Sequence, residues 1–358
     1  MSSSVEKVSF PNVHARPEQQ SFKARFYQEC LILSINFTWV LGLAFFVNMY
    51  TFSAVSIGRA LLSGDPEAVP MSVRCYLGAL VLYYSYHYVA HRPEQAPWPE
   101  FHQSGRELQA KHPYFRHQIC IFDEFEDESL QDHAKAFVKP DDQSLFAFHP
   151  HGMLTCGWAV NGVFSKRFKE ANARWLVAEN LFWFPILRDI LRWTSFDTVE
   201  KKTFVKYMRQ GRNVCFLPGG FEEATVCERG KYRVHVKSKF GFIKLALQHG
   251  YKVHPVFSFG EEETYHTFPY FLKQRLMLNR LRVPAAIFIG RLWLFFMPRH
   301  DLDMTTVVGK AIQLPKIENP TKEEVAKYHA LYVDALVDLF ERNKKKYANS
   351  PDAKLEVY

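Results

Sequence analysis

The chain begins polar and then becomes strongly apolar. Residues 1–29 are polar and rich in turn-forming residues, which predicts a polar tail without a core of its own. The stretch from Cys30 to Gly58 contains no charged residue. About 20 apolar residues suffice to cross a bilayer, so this stretch is long enough to span one. A buried helix of a large soluble core is the alternative, and the pattern favours the membrane helix.

A second apolar stretch, from Cys75 to Ala90, is shorter and rich in tyrosine. Tyrosine prefers the boundary between water and lipid, so this stretch either closes a hairpin with the first or lies in the interface. Basic residues are more frequent outside this pair of stretches than between them, which places both ends of a hairpin in the cytosol. We therefore predict a membrane-anchoring hydrophobic hairpin over residues 30–92.

Beyond about residue 110, short apolar runs alternate with amphipathic segments, which is typical of an α/β domain. The cytosol-facing domain is expected to cover residues 93–358. The predicted strands are residues 144–150, 174–179, 213–219, 252–260 and 305–314. One further apolar segment, residues 283–298, contains Arg291. It is interpreted as a buried segment or a lipid-touching loop, because a charge in mid-bilayer is costly.

Capping residues predict where three helices of this domain begin or end. Asp197 with Glu200 predicts a helix that stops at Gly211, and a second helix is expected to end at Gly250. Thr321 with Glu324 predicts the start of the last helix. The apolar face predicted for that helix consists of Val325, Tyr328, Tyr332, Leu336 and Leu339.

Composition and charge narrow the class of protein. The 358 residues suffice for one large or two ordinary domains, and 47% are hydrophobic. A net charge of +8 indicates an anionic partner such as a phospholipid surface, a phosphate-bearing ligand or nucleic acid, although a solvated basic surface is the simpler explanation. Six scattered cysteines without a Cys-x-x-Cys pair favour a reducing, cytosol-facing environment over a disulfide framework.

The segment FAFHPHGML carries His149 and His151 at the end of a predicted strand. On a strand, side chains two apart point the same way, so both imidazoles could face one metal ion. Together with other histidine pairs they suggest a di-iron oxygenase, but the later histidines are isolated from one another. The alternative, which we favour, is a site that transfers protons and needs no metal.

The segment CFLPGGFEEAT supports proton transfer. Gly219 and Gly220 lie at another predicted strand end and precede Glu222 and Glu223. Adjacent glycines let backbone N–H groups approach a developing negative charge, and a carboxylate can hold an imidazole in one tautomer. Because the carboxyl ends of parallel strands share one crevice, the two motifs can meet there. A plain turn with solvated glutamates is the alternative.

A basic stretch follows, which could hold a phosphate-rich ligand near the start of a helix. Its six cations are Arg229, Lys231, Arg233, Lys237, Lys239 and Lys244. No signature of a nucleic-acid-binding module is present, so no nucleic-acid partner is predicted. Cys156 and Ser165 lie outside any Gly-x-Ser-x-Gly elbow and are interpreted as a core cysteine and a surface serine rather than nucleophiles.

Four blocks, FAFHPHGML, FLPGGFEEAT, KFGFIKLALQHG and HPVFSFGEEETY, resemble in that order those of the type 2 diacylglycerol acyltransferase family, and the resemblance covers about residues 110–345. It implies an endoplasmic-reticulum membrane enzyme, with lipid droplets as a further location, that transfers a fatty acyl group from acyl-CoA to diacylglycerol. It also implies a glycerophosphate-acyltransferase-like mixed α/β sheet flanked by helices. Monoacylglycerol and wax-alcohol acyltransferases share these motifs, so the acceptor stays open.

Two departures from the related patterns bear on the site. Arg116 stands where the family has a proline after Tyr114 and Phe115, and the aspartate that related acyltransferases place five residues after the histidine is replaced by Cys156 or Leu154. The orienting role therefore passes provisionally to Glu223.

The mechanism expected from these residues is direct acyl transfer. We expect His151, which precedes the glycine, to act as general base and His149 to shape the site. Backbone N–H groups near Gly152, Gly219 or Gly220 are expected to bind the oxyanion. No covalent intermediate, metal or cofactor beyond the co-substrate acyl-CoA is predicted, and a homo-oligomer is left open.

Overall fold

The computed structural model of the chain describes residues 37–89, 97–123, 137–279 and 285–358, and residues 22–23, 26, 29–30 and 33. Most of the predicted polar tail lies outside the described residues. So does the beginning of the predicted span from Cys30 to Gly58, apart from two of its first seven residues, Cys30 and Leu33.

The apolar segments form two helices, and the connection between them contains a short 3-10 helix, Pro66–Ala68. A π-helical turn, Phe37–Gly42, leads into α1, Leu43–Ser63, which ends at Gly64; α2 follows at Met71–Val89. Of the described helices, one, Val40–Ser63, is long and apolar enough to cross a membrane, and little of it is buried in the protein. This helix continues past Gly58, where the predicted uncharged stretch ends. Arg59 lies within the helix, and its side chain is exposed. We call Val40–Ser63 the membrane helix.

The two helices pack on each other and on the rest of the protein. The Tyr76 ring of α2 contacts Phe45 and Tyr50 of α1. The hydroxyls of Tyr50 and Tyr84 both donate to the carbonyl of Trp183 at 3.0 Å. These contacts join the helical hairpin to the α/β domain.

The α/β domain contains eleven described strands and eight further described helices. The strands are β1 His117–Phe122, β2 Ser144–His149, β3 Arg174–Val177, β4 Phe196–Thr198, β5 Val214–Phe216, β6 Tyr232–Val234, β7 Lys252–Phe259, β8 His266–Thr267, β9 Phe288–Ile289, β10 Asp303–Val308 and β11 Leu355–Val357. The helices are α3 Pro99–Lys111, α4 Cys156–Trp158, α5 Leu187–Trp193, α6 Lys201–Arg209, α7 Gly220–Val226, α8 Gly241–His249, α9 Leu272–Leu278 and α10 Lys322–Tyr347.

Seven strands form one mixed sheet in the order β1-β10-β7-β2-β5-β3-β4. The five strands from β7 to β4 are parallel, whereas β10 runs antiparallel to β7 and β1 runs parallel to β10. Two small sheets, β6 with β11 and β8 with β9, lie outside it. The predicted mixed α/β fold is confirmed.

Helices cover both faces of the sheet. The side chains of β2 alternate between these two faces. Leu145 and Ala147 point into the core cluster formed with α6, α8 and α10, whereas Phe146 and Phe148 point into the cluster on the other face. The second cluster contains Trp158 and Trp175 and receives side chains of α1. The alternation places His149, at the end of β2, on the α10 face.

One predicted helix start is wrong and one is confirmed. Asp197 lies within β4, where its carboxylate accepts hydrogen bonds from the Thr198 N–H and the Tyr207 hydroxyl, and α6 begins only at Lys201. Glu200 precedes α6 without a side-chain cap. By contrast, Thr321 and Glu324 form the predicted reciprocal capping box of α10.

The lengths of the predicted strands also need correction. Strand β10 ends at Val308, so the predicted segment 305–314 is too long, and β5 is confined to Val214–Phe216. Strands β1 and β4 had not been predicted. Both lie at the edges of the seven-stranded sheet.

Candidate active site

A cavity of about 420 Å³ lies at the carboxyl ends of β2, β3 and β5. Each of these strands places a residue on its wall just after its last residue: His151 after β2, Ala178 after β3 and Leu217 after β5. Val40 and Leu43, at the start of the membrane helix, also line the cavity. The crevice that the sequence predicts therefore exists, and its wall includes apolar groups of the membrane anchor.

His149 is completely buried and both of its ring nitrogens have partners. Its Nδ1 lies 3.0 and 3.1 Å from the two carboxylate oxygens of Glu223, and its Nε2 lies 2.9 Å from the hydroxyl of Tyr332 on α10. Since a carboxylate only accepts, Nδ1 carries the proton and Nε2 accepts from the tyrosine. His149 therefore has no ring nitrogen left for a substrate.

Glu223 joins three segments of the chain. Besides the His149 ring, its carboxylate accepts the peptide N–H of His151 at 2.6 Å and that of His235 at 2.7 Å. Burial alone would raise the pKa of Glu223, but His149 and these N–H donors together hold it below its ordinary value. The carboxylate is thus a charged anchor for the loop that follows β2.

Gly219 provides the space that Glu223 occupies. A Cβ atom at position 219 would lie 2.1 Å from Oε2 of Glu223 and 2.4 Å from its Cβ. The Gly-Gly pair is therefore required for packing as well as for any contact with a ligand. The Gly220 N–H donates to the Leu217 carbonyl at 3.3 Å. Gly220 lines the cavity, whereas Gly152 and Gly219 are buried.

His151 is only partly buried and lines the cavity. Its Nδ1 lies 3.0 Å from the carbonyl of Gly152, so Nδ1 donates there and Nε2 is left as the basic nitrogen. Burial lowers the pKa of His151 from its ordinary value, so the ring is neutral near pH 7. Glu223 reaches His151 through the peptide N–H alone, and the Gly152 carbonyl is what orients the ring.

Glu261, which was not predicted as a site residue, supports the same loop from the other side. Its buried carboxylate accepts the N–H groups of Cys156 at 3.1 Å and Gly157 at 2.5 Å. A Cβ atom on Gly152 would lie 2.0 Å from its Oε1. Burial raises the pKa of Glu261 to about 8. The SFGEEETY block had marked this segment, but not the contact.

Tyr332 was also missed as part of the site, although it stands on the predicted apolar face of α10. The predicted burial of Tyr332 indicated only that its hydroxyl has a partner, because a buried tyrosine hydroxyl usually forms a hydrogen bond. The identity of that partner depends on the contact between α10 and the end of β2.

Four of the six predicted phosphate-binding cations are paired with carboxylates, and three of these pairs involve Glu263 or Glu228. Arg229 lies 2.7 Å from Glu263, and Lys231 and Arg233 lie 2.7 and 2.6 Å from Glu228. Their positive charge is therefore partly compensated within the protein.

The other three cations differ in position. Lys239 lies 3.1 Å from Glu222, a residue of the cavity wall, so it stands at the edge of the cavity. Lys237 and Lys244 are exposed. The helix α8 begins at Gly241, so Lys239 precedes it and Lys244 lies within it.

The alternative nucleophiles occupy structural positions. Cys156 is buried, and burial raises the pKa of its thiol well above the ordinary value. The Ser165 hydroxyl caps a short 3-10 turn by accepting the Arg167 N–H at 3.2 Å. Within the described ranges, no group of three or more His, Cys, Asp or Glu side chains is arranged to hold a metal ion.

Fold and site together define an α/β protein with one helix long and apolar enough to cross a membrane and with a buried histidine–glutamate pair beside an apolar cavity. A family model described as "Diacylglycerol acyltransferase" matches residues 101–358. The chain therefore belongs to the diacylglycerol acyltransferase family.

Several curated proteins are similar in sequence. The chain is 32% identical over 237 residues to "Diacylglycerol O-acyltransferase 2" of Dictyostelium discoideum, covering 61% of this chain and 71% of that one. It is 31% identical over 238 residues to "Acyl-CoA wax alcohol acyltransferase 2" of Homo sapiens, covering 62% and 71%. Among solved structures, the chain is similar to the 1-acyl-sn-glycerophosphate acyltransferase PlsC of Thermotoga maritima, with 13% sequence identity and a TM-score of 0.38. The match covers 75% of this chain and 89% of that one.

Proposed function

We propose that this protein transfers a fatty acyl group from acyl-CoA to the free hydroxyl of diacylglycerol and so makes triacylglycerol. The observation that carries the proposal is the position of His151. Its basic nitrogen belongs to a ring on the wall of a cavity that the membrane helix also lines, in a chain of the diacylglycerol acyltransferase family. A lipid acceptor and a soluble thioester can meet at such a place.

The reaction requires one base and one oxyanion site. Nε2 of His151 takes the proton of the acceptor hydroxyl as its oxygen attacks the thioester carbonyl. Backbone N–H groups near Gly152, Gly219 or Gly220 stabilise the resulting oxyanion. The carbon–sulfur bond then breaks, and the CoA thiolate leaves and takes up the proton from His151. General-base catalysis contributes about 10²- to 10⁴-fold and one oxyanion donor about 10²- to 10³-fold.

His149, Glu223 and Tyr332 act as positioning residues in this proposal. The Glu223 carboxylate holds the peptide N–H of His151, and Tyr332 and Glu223 occupy both nitrogens of His149. The loop that presents His151 is thereby fixed to α10 and α7. No residue forms a covalent intermediate, since a thiolate is a good leaving group for an attacking alkoxide.

Acyl-CoA binding is assigned to both apolar and basic groups. A smaller apolar cavity of about 110 Å³ shares Leu154, Thr155 and Trp158 with the wall of the catalytic cavity, which gives an acyl chain room beside His151. The phosphates of CoA are assigned to Lys237 and Lys244, which are exposed, and to Lys239, which stands at the cavity edge in an ion pair with Glu222. Arg229, Lys231 and Arg233 are expected to contribute less, because carboxylates neutralise them.

We further propose that the protein resides in the endoplasmic-reticulum membrane, and on lipid droplets, with the α/β domain facing the cytosol. The membrane helix supports the membrane location. The absence of a cofactor other than acyl-CoA, and self-association into a homo-oligomer, stay predictions.

The test is expression of the full chain, wild type and His151→Ala, in cells devoid of neutral-lipid synthesis, followed by lipid analysis. We expect triacylglycerol from the wild type and none from the variant at equal membrane abundance. Microsomes supplied with labelled acyl-CoA and a panel of acceptors then compare diacylglycerol with its rivals.

A second candidate acceptor is a fatty alcohol, because the similarity to a wax alcohol acyltransferase is nearly as high as that to a diacylglycerol acyltransferase. Wax ester as the main product would favour it, and diacylglycerol as the main product would favour a monoacylglycerol acceptor. Activity that depends on iron and oxygen would instead support the oxygenase.

A further inference from the structure

A short apolar hairpin projects from the domain near the catalytic cavity. We call residues 285–297 the apolar hairpin. Its strand β9 pairs with β8, which lies outside the hairpin. Its tip is closed by hydrogen bonds from the Gly290 N–H to the Phe295 carbonyl at 2.7 Å and from the Leu294 N–H to the Arg291 carbonyl at 3.1 Å. The tip is therefore a defined turn with its own hydrogen bonds.

Five large apolar side chains of the hairpin are exposed on the protein surface. Leu292 and Trp293 at the tip are 85% and 91% exposed. The other exposed apolar residues of the hairpin are Ile287, Ile289 and Phe295. A contiguous apolar surface of this kind is unusual on a soluble protein and marks a site of contact with lipid or another protein.

Aromatic side chains beside the hairpin extend this surface. The Phe268 N–H donates to the Ile287 carbonyl at 2.9 Å, and the Phe268 ring contacts the rings of Tyr270 and Phe271. Both of those rings are about two-thirds exposed. Tryptophan and tyrosine favour the boundary between lipid and water, so the composition of the surface favours a bilayer over a protein partner.

The hairpin is continuous with the membrane anchor. Phe288 and Leu294 pack in the same apolar cluster as Val40 and Leu41, where the membrane helix begins. Arg291 forms an ion pair with Glu29, eleven residues before that helix, at 2.6 Å. The exposed tip thus lies beside the segment through which the chain enters the membrane.

The catalytic cavity lies between the same two elements. Ala286 and Phe288 of the hairpin form one part of its wall, Val40 and Leu43 of the membrane helix form another, and His151 lies on the same cavity. A lipid that moved laterally between the hairpin and the helix would therefore pass from the bilayer to the base without crossing water.

We propose that the apolar hairpin inserts into the membrane surface as a second contact besides the membrane helix, and that the lipid acceptor reaches His151 between the two. Leu292 and Trp293 enter the lipid, and Arg291 stays at the headgroup level, paired with Glu29. The acceptor part of this proposal rests on the proposed acyltransferase function, whereas the membrane contact does not.

The kinetic test uses the full-length protein in phosphatidylcholine vesicles containing diacylglycerol, with the variant Leu292→Glu/Trp293→Glu. Its apparent KM for diacylglycerol in the bilayer should rise about tenfold or more, because charge replaces apolar side chains at the lipid surface. The KM for acyl-CoA and the turnover of a short-chain diacylglycerol supplied from solution should stay within about twofold of the wild type.

The control is Leu331→Glu, which places one glutamate on an apolar residue of α10 that is 46% exposed; all of its constants should match the wild type. Equal loss with the bilayer and the soluble acceptor would overturn the proposed path. A wild type that acylates neither acceptor would refute the acyltransferase function and leave the contact to be decided separately.

Membrane contact is measured without catalysis. Cys30→Ser and Cys75→Ser remove the exposed cysteines, and Trp293→Cys or Leu331→Cys then carries an environment-sensitive fluorophore. Spin-labelled lipids should quench the probe at position 293 and leave the probe at 331 unchanged. Absence of quenching at 293 would overturn the proposal, as would shielding of that probe by a second copy of the chain.

Discussion

The two histidines of the HPHG motif are two residues apart and lie in different regions of the molecule. On the α10 side of the sheet, His149 is buried and both ring nitrogens are bonded within the protein. On the cavity side, His151 is partly exposed and one nitrogen has a carbonyl partner while the other is available. The difference teaches that one motif contains a positioning group and a reactive group. Strand β2 ends at His149, so the alternation that buries His149 does not extend to His151.

The largest expected effect follows from removing the group on the cavity side. His151→Ala should lower turnover by about 10²- to 10⁴-fold, since the general base is lost, while the apparent midpoint of thermal unfolding changes little. Turnover in detergent micelles and membrane abundance are the measurements. His249→Ala, at the far end of α8, is the control and should keep most of its activity. More than a tenth of wild-type turnover in His151→Ala would remove it as the base.

A second substitution should disturb Glu223, which contacts both the His149 ring and the peptide N–H of His151. Gly219→Ala should displace the Glu223 carboxylate, because the new Cβ would lie 2.1 Å from Oε2, and overpacking of this kind costs about 1–3 kcal/mol. We expect at least about tenfold lower turnover and a lower unfolding midpoint.

The matched control for that change is Gly241→Ala in α8, where an added Cβ meets no atom within 4 Å. It should be neutral or slightly stabilising, because alanine favours a helix over glycine by up to about 1 kcal/mol. If both variants behaved alike, the close packing of Gly219 against Glu223 would not matter to the site.

A smaller effect is expected on the α10 side. Tyr332→Phe leaves Nε2 of His149 buried without its hydroxyl partner, which costs about 1–3 kcal/mol of stability. Turnover should fall less than in His151→Ala, with the KM for acyl-CoA unchanged. Thermal unfolding together with steady-state kinetics measures both. A loss of activity as large as that of His151→Ala would mean that Tyr332 acts in the chemistry.

The smallest effect concerns pH. Protonated His151 cannot take up a proton, so kcat/KM should decrease as pH falls, by about tenfold per pH unit beyond the midpoint. Burial lowers the pKa of His151, so the midpoint is expected below the ordinary imidazole value of 6.5. Tyr332→Phe should leave that midpoint in place, because its hydroxyl touches the other histidine. An acid limb centred above pH 7 would contradict the assignment.

Structural features that depend on a local pattern of residues could be predicted from the sequence. The runs that form β2, β5 and β7 were visible as apolar segments, and Thr321 with Glu324 marked the start of α10. The meeting of His151 with the Gly-Gly turn followed from the rule that the carboxyl ends of parallel strands converge.

What the sequence could not supply are long-range contacts and backbone exceptions. Asp197 carries the signature of a helix cap, yet it binds Tyr207 from within a strand, because a tertiary hydrogen bond outweighs the local preference. The partnership of Glu223 with His149 rather than with the His151 ring depends on where β2 ends. Glu261 reaches the HPHG loop from more than a hundred residues away, and no local pattern reports such a contact.

The central claim, that His151 is the accessible and reactive histidine while His149 is a buried support, is tested most directly by histidine modification. The folded protein is treated with diethyl pyrocarbonate, each site is followed by mass spectrometry, and exposed His266 serves as the internal reference. We predict that His151 is modified at the rate at which activity is lost, that a non-hydrolysable acyl-CoA analogue protects it, and that His149 stays unmodified until the protein unfolds. Modification of His149 in the active, folded protein, or full activity with His151 modified, would contradict the account.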